Sequence, residues 1–175
     1  MEMSSLQDLW IEELRDLYSA ENQLIKALPK MAKAAHDPSL KEGFLKHAEK
    51  TKGHAERLKQ AFEQLGAKAK AKPCKAMMGL VEEGQETMAE GKEKEPAIAD
   101  LALVASAQKI EHYEISGYGT LRTIAEQIGE KKVAKLLAQT LSEEEKTDKL
   151  LTQASQPLLE QAHSEGETEE EEEEA

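Results

Sequence analysis

The chain has 175 residues, 39% of them hydrophobic and 3% aromatic, with a single cysteine, so it suits one domain with one core and excludes an internal disulfide framework. Its formal charge of −12 argues against nucleic acid as a partner, and most of that excess sits in residues 164–175, whose eight glutamates leave −4 on the other 163 residues. No stretch approaches the roughly 20 apolar residues of a membrane span, and no N-terminal run combines a basic start with an apolar centre, so a cytoplasmic location is expected.

Abundant Ala, Leu, Glu, Lys and Gln with almost no strand signal make the expected fold class all-α. The first helix is expected from about Ser5 to Ala35, striped by Leu6, Leu9, Leu14, Leu17, Leu24, Leu28 and Met31. Asp37-Pro38 ends it and opens the second, with Asp37 as cap and Pro38 in the first turn; that helix runs to Leu65, before Gly66. Its stripe reads Leu40, Phe44, then His47, Thr51 and His54, then Leu58 and Leu65, so the apolar face turns polar only at its middle. A basic stretch, Ala67 to Lys72, and Pro73 lead to a shorter helix over Lys75–Glu90, whose Met77, Met78, Leu80, Val81 and Met88 suit a segment lying outside a larger bundle. Pro96 opens the third long helix, which ends at Ile128 before Gly129; the fourth runs from Glu130 to about His163, with Pro157 bending or fraying its last part.

Tight turns near Asp37 and Gly129 make two antiparallel hairpins, and the 30 residues from Gly66 to Glu95 connect them along the bundle. Four long helices with one long crossover form the topology of ferritin-like folds. The expected architecture is therefore an antiparallel ferritin-like four-helix bundle over residues 1–163, with a short fifth helix in the crossover, followed by a disordered acidic tail over 164–175.

The helix centres fall near residues 20, 51, 112 and 146, and antiparallel packing brings them to one layer. At those centres stand Glu21; His47 and His54; Glu111 and Glu114; and Glu144, Glu145 and Asp148. An unpaired ionised carboxylate in a low-dielectric core costs several kcal/mol or more, and a metal cluster is the natural compensation. Carboxylates can bridge two ions while imidazole fills a terminal position, and a three-residue spacing on one helix, as in Glu111/Glu114 and Glu145/Asp148, lets two ligands reach one cluster. A single helical glutamate is more often a solvated surface group, and an isolated histidine is as often a hydrogen-bonded core residue as a ligand; four helices converging on one layer shift the balance toward a site. Glu49 projects away from the His47/Thr51/His54 face. Cys74, beside Met77 and Met78, reads as packing rather than as a reactive thiol.

The segments Leu17–Leu24 with Ala27–Met31, Gln108–Ile115 with Tyr118–Leu121, and Glu143–Asp148 resemble the YciE/YciF family of bacterial ferritin-like stress proteins over about residues 4–160. The resemblance implies a four-helix bundle with a dinuclear metal centre, usually iron, a tendency to dimerise, and metal positions at Glu21, Glu111, Glu114 and the Glu144/Glu145 region. Lys50 departs from it: the family pattern His-x-x-Glu-Thr on the second helix here reads His47-Ala48-Glu49-Lys50-Thr51. Lys50 falls between His47 and His54 on the helix face, where it could act as a counter-charge, and His54 could replace the missing ligand.

The leading expectation is therefore a homodimeric protein holding two metal ions, iron with manganese or zinc as alternatives, and acting in stress defence through Fe(II) oxidation or peroxide reduction. Tyr18, Tyr113 or Tyr118 could orient ligands, and the electron donor is left open, since no rubredoxin-type cysteine site is present. Two other readings stand beside it: a non-enzymatic helical dimer with a structural polar core, and an adaptor whose acidic tail or crossover helix binds a basic partner.

Overall fold

Helix boundaries fall where capping chemistry puts them. The computed structural model describes residues 5–173, with side chains through Ser164. The Ser5 hydroxyl accepts from the Asp8 amide at 3.1 Å and opens α1 (Leu6–Ala34). Asp37 accepts from the Leu40 amide at 2.8 Å and, with Pro38 in the first turn, opens α2 (Pro38–Gln64). Gly66, at φ 64°, takes the left-handed conformation that ends α2. The crossover carries α3 (Lys75–Glu90), capped by Cys74, and a 3₁₀ turn over Gly91–Glu93, then reaches α4 (Pro96–Gln127). Gly129, at φ 85°, turns the chain into α5 (Lys131–Glu173).

The fourth long helix was expected to end near His163, but the backbone continues helical to Glu173 and Pro157 does not stop it. Glutamate is a strong helix former, and Gly166 alone does not break the run. The acidic tail expected to be disordered over 164–175 thus overlaps the helical backbone as far as Glu173; its side chains from 165 onward, and residues 174–175 altogether, lie outside the described residues. Among the described residues all regular structure is helical, and no helix is long and apolar enough to cross a membrane.

α1 packs on α2 and α4 on α5 as two hairpins, while α3 lies across α4 and α1 on the outside. The hairpins meet with α1 against α4 and α2 against α5. Trp10, fully buried, donates its ring N–H to the Leu121 carbonyl at 3.0 Å and ties α1 to α4. The two helices approach so closely near Gly117 that a Cβ there would stand 3.0 Å from a Leu17 methyl. Leu14, Leu24, Leu28, Met31, Phe44, Leu58, Ile110 and Leu121 fill the core on both sides of the helix midpoints.

Asp100 of α4 fixes the relative placement of the hairpins. It is 1% exposed, and its carboxylate accepts from the His36 amide at 2.9 Å and the Asp37 amide at 2.6 Å. It thereby satisfies the backbone between α1 and α2 and holds the start of α4 beside that turn, which makes α4 antiparallel to α1. Replacing Asp100 with Ala strands those donors, so Asp100→Ala is expected to lower the unfolding free energy by about 2–3 kcal/mol in urea titrations; a loss under about 0.5 kcal/mol would show that the turn is held by other contacts.

Candidate metal centre

Six ionisable side chains from four helices meet in the middle of the bundle. Glu21 comes from α1, His47 and His54 from α2, Glu111 and Glu114 from α4, and Glu144 from α5; all six are buried, the most accessible being His47 at 4%. Each enters the core because it occupies an apolar-stripe position of its helix: Glu21 lies between Leu17 and Leu24, Glu114 between Ile110 and Tyr118, and Glu144 between Leu141 and Leu151. The two α2 histidines stand seven residues apart, two turns, so both rings face the same interior.

The six form two overlapping groups: His47, Glu111, Glu114 and Glu144 in one, Glu21, His54 and Glu144 in the other, with potential ligand atoms within 4.8 Å of one another in each. Glu144 belongs to both. Its Oε1 lies 2.7 Å from His54 Nδ1 and its Oε2 3.5 Å from His47 Nε2, while His47 Nδ1 is 3.3 Å from Glu111 Oε1 and His54 Nδ1 is 3.7 Å from Glu21 Oε1.

Closeness here is not pairing. Glu21 Oε2, His47 Nε2, His54 Nδ1, Glu111 Oε2 and both oxygens of Glu114 and of Glu144 are buried without a hydrogen-bond partner. Even at 2.7 Å, His54 Nδ1 and Glu144 Oε1 are not aligned as donor and acceptor. So many orphaned donor and acceptor atoms in a dry core is a large energetic debt. Oxygen and imidazole nitrogen are the donor types that divalent iron, manganese or zinc take, and donor atoms gathered this closely without pairing with one another fit such ions.

Atoms facing away from the cluster are, by contrast, satisfied. The Tyr118 hydroxyl, fully buried, donates to Glu21 Oε1. Thr51 donates to the His47 carbonyl at 2.9 Å. His54 Nε2 meets Glu143 Oε2 at 2.9 Å, and Arg57 holds Glu143 through one nitrogen at 2.8 and 2.9 Å while its other terminal nitrogen donates to Thr140 at 2.8 Å. Burial disfavours the ionised form of Glu143, but Arg57, Gln139 and His54 outweigh it and lower its carboxyl. An ionised Glu143 can only accept, so His54 keeps a proton on Nε2, and in the neutral ring it is Nδ1 that presents a lone pair toward Glu21 and Glu144.

Electrostatics express the same imbalance. Burial pushes the Glu21 carboxyl up to about 8 even though His54 pulls the other way. Burial, then the carboxylates of Glu144 and Glu21, drive Glu111 well above its usual range; Glu114 rises for the same reasons. Glu144 is the exception: burial opposes its ionisation, but His47 and His54 bring it down to about 2. His54 is correspondingly raised, the pull of Glu144 and Glu21 exceeding the effect of burial. Charge in the layer thus concentrates on Glu144 and His54, while Glu21, Glu111 and Glu114 are shifted toward their protonated form.

Two of the eight residues expected at the site stand apart. Glu145 is exposed, because it follows Glu144 by one position and the 100° step turns it to the outer face of α5. Asp148 is at the rim, accepting from Gln108 at 3.1 Å and lying 3.3 Å from the exposed His112. It belongs to neither ligand group. Glu49 is exposed and pairs with Lys52 at 2.5 Å. Of the tyrosines, Tyr118 alone touches a candidate ligand; Tyr113 donates to Asp16 and meets Cys74 Sγ, and Tyr18 packs edge-on to Phe62. Glu143 and Arg57 went unrecognised as support for His54, since only the α2/α5 register, absent from sequence spacing, pairs them.

The chain matches the family described as a domain of unknown function, DUF892, over residues 5–164. It is 47% identical to Protein YciF of Escherichia coli K12 over 87% of this chain and 91% of that protein. The crystal structure of the E. coli stress protein YciF superimposes with a TM-score of 0.86 at 46% identity, covering 90% of this chain and 99% of that one. YcfI of Rhodopseudomonas palustris, a candidate structural protein, gives 0.82 at 39% identity, covering 86% and 95%.

Raised carboxyls set the pH response of the metal-free protein. A group whose folded pKa exceeds its unfolded value stabilises the fold below the unfolded value and loses that contribution as pH rises through the folded one. For Glu21 that window runs from 4.5 to about 8. Glu111, Glu114 and His54 are shifted in the same direction. Glu144 stays ionised throughout. In chelator, the unfolding free energy measured by urea titration is therefore expected to fall from pH 5 to pH 8, with a shallower fall in Glu21→Gln; stability that rises over this range would contradict the electrostatic picture.

Proposed function

Because the chain belongs to the DUF892 family and carries this buried ligand set, we propose that the polar layer holds two divalent metal ions, iron foremost with manganese or zinc as alternatives, and serves stress defence through Fe(II) oxidation or peroxide reduction. The observation that carries the reading is the gathering of orphaned oxygen and nitrogen atoms into two adjoining groups that share Glu144. His47, Glu111 and Glu114 would hold one ion, Glu21 and His54 the other, and the carboxylate of Glu144 would serve both. A solved relative named as a stress protein agrees with the biological role.

When bound, paired redox-active ions supply two electrons together to one oxidant. The chain's own contribution is placement, charge and exclusion of water. Tyr118 keeps its proton, since burial and then Glu21 and Glu114 raise its hydroxyl well above the usual range, so it is a fixed donor that leaves Glu21 Oε2 free for a cation. Glu143, clamped by Arg57, fixes the His54 tautomer. The apolar layers above and below the site, including Leu24, Leu58, Ile110 and Leu121, shield it from bulk water at its two ends along the bundle.

Elemental analysis of protein purified without chelator and reloaded anaerobically is expected to give two ions per chain, none in Glu144→Ala, and one in Glu21→Ala. Fewer than one ion in the unaltered protein would overturn the proposal. Glu143→Gln, which removes the anionic acceptor behind His54, is expected to weaken metal binding about 10- to 100-fold in competition titrations; unchanged affinity would remove Glu143 from the account. The description of YcfI as a candidate structural protein favours a second reading in which the same centre is a structural element. Consumption of oxygen or peroxide by the Fe(II)-loaded protein distinguishes them, since a structural centre leaves the oxidant unspent.

A further inference from the structure

A cavity of about 380 Å³ opens between α2 and α5, and the buried His47 is among its lining residues. This is within the roughly 300–1,000 Å³ range of small-molecule sites. Leu40, Phe44, Leu151 and Ala154 form its walls, and Leu150, 48% exposed, stands among its lining residues. From Ser39 to Lys50 it follows α2 for about 16 Å at 1.5 Å per residue, an elongated slot rather than a round pocket. Two lysines line it, and they differ. Lys46 is committed at 2.7 Å to Glu42, the one acidic residue of the lining, whereas Lys50, half-buried and one turn from His47, makes no hydrogen bond or ion pair among the described residues. An apolar slot beside one uncommitted, partly desolvated cation is complementary to an anion with an apolar body.

We propose that this slot binds a monocarboxylate amphiphile, such as a medium-chain fatty acid, with its head on Lys50 and its chain along Leu40, Phe44 and Ala154. Bound there, the ligand lies against His47, so it reports on, and covers, the α2/α5 flank of the ligand layer. The inference goes beyond the metal reading and does not need it: binding is measurable with the layer metal-free or loaded.

The probe is dodecanoate below its micellar concentration, titrated calorimetrically into the full chain, with dodecyltrimethylammonium as the cationic counterpart. Saturable 1:1 binding of dodecanoate, accompanied by a shift of the His47 ring resonances in the metal-free protein, is expected, with dodecyltrimethylammonium at least tenfold weaker. Lys50→Gln is expected to weaken dodecanoate about fivefold to tenfold. Gly43→Leu is expected to abolish binding by filling the slot; Gly43 lines it and an added Cβ there meets nothing within 4 Å, so this variant should fold, as circular dichroism will verify, and Ala154→Phe is a second blocking variant. Absence of saturable binding, equal binding of the cationic probe, or binding that survives both blocking variants would overturn the proposal. So would light scattering that shows the slot closed by a second copy, detected as a dimer that Gly43→Leu dissociates and dodecanoate does not.

Discussion

Everything in this bundle is arranged around four carboxylates that cannot all be ionised in the space they share. Glu21, Glu111, Glu114 and Glu144 lie buried with two imidazoles, and in the absence of cations three carboxyls are driven toward their neutral form while Glu144 alone is held charged by His47 and His54. Replacing such a layer with leucines would be the simplest way to make a stable bundle. Its presence at the midpoint of each long helix, with the outward-facing atoms satisfied and the inward-facing ones not, is what supports the proposal that the layer takes up cations.

The remainder of the fold can be understood as what holds that layer in register. Asp100 pins the α1–α2 turn to the start of α4, Trp10 binds α1 to α4 below it, and the glycine at 117 lets those helices approach beside Tyr118 and Glu21. On the other flank the register of α2 against α5 is set by Arg57, Glu143 and Thr140, the same groups that orient His54. Structural and ligand-orienting roles thus coincide in a few polar contacts, a usual economy in sites built on rigid helices.

Much of this was legible in the sequence, and for identifiable reasons. Long helices with strong stripes, Asp37-Pro38, Gly66 and Gly129 defined the hairpins, and loop lengths defined the crossover. Polar residues interrupting an apolar stripe, as at His47, Thr51 and His54, pointed inward because the stripe around them did. Where three acidic residues follow one another, as at 143–145, the stripe spacing is too coarse to choose among faces: Glu144 is interior, Glu143 faces Arg57 and Glu145 faces out. Asp148 lay within one turn of the layer but is drawn to Gln108 at its edge. Lys50, which could sit beside the site as a counter-charge, lines the α2/α5 slot together with His47 and is only half-buried, since a residue three positions from His47 is rotated about 60° from it around the helix. Such contacts depend on inter-helix register, which no single helix encodes.

The central claim is that two cations complete the layer on either side of one shared carboxylate. Anomalous diffraction at the iron edge from crystals grown anaerobically with Fe(II) tests it directly. Two peaks inside the bundle are expected, one among His47, Glu111 and Glu114, the other between Glu21 and His54, with Glu144 in contact with both. Peaks confined to the surface carboxylates, with the interior layer empty, would contradict the account.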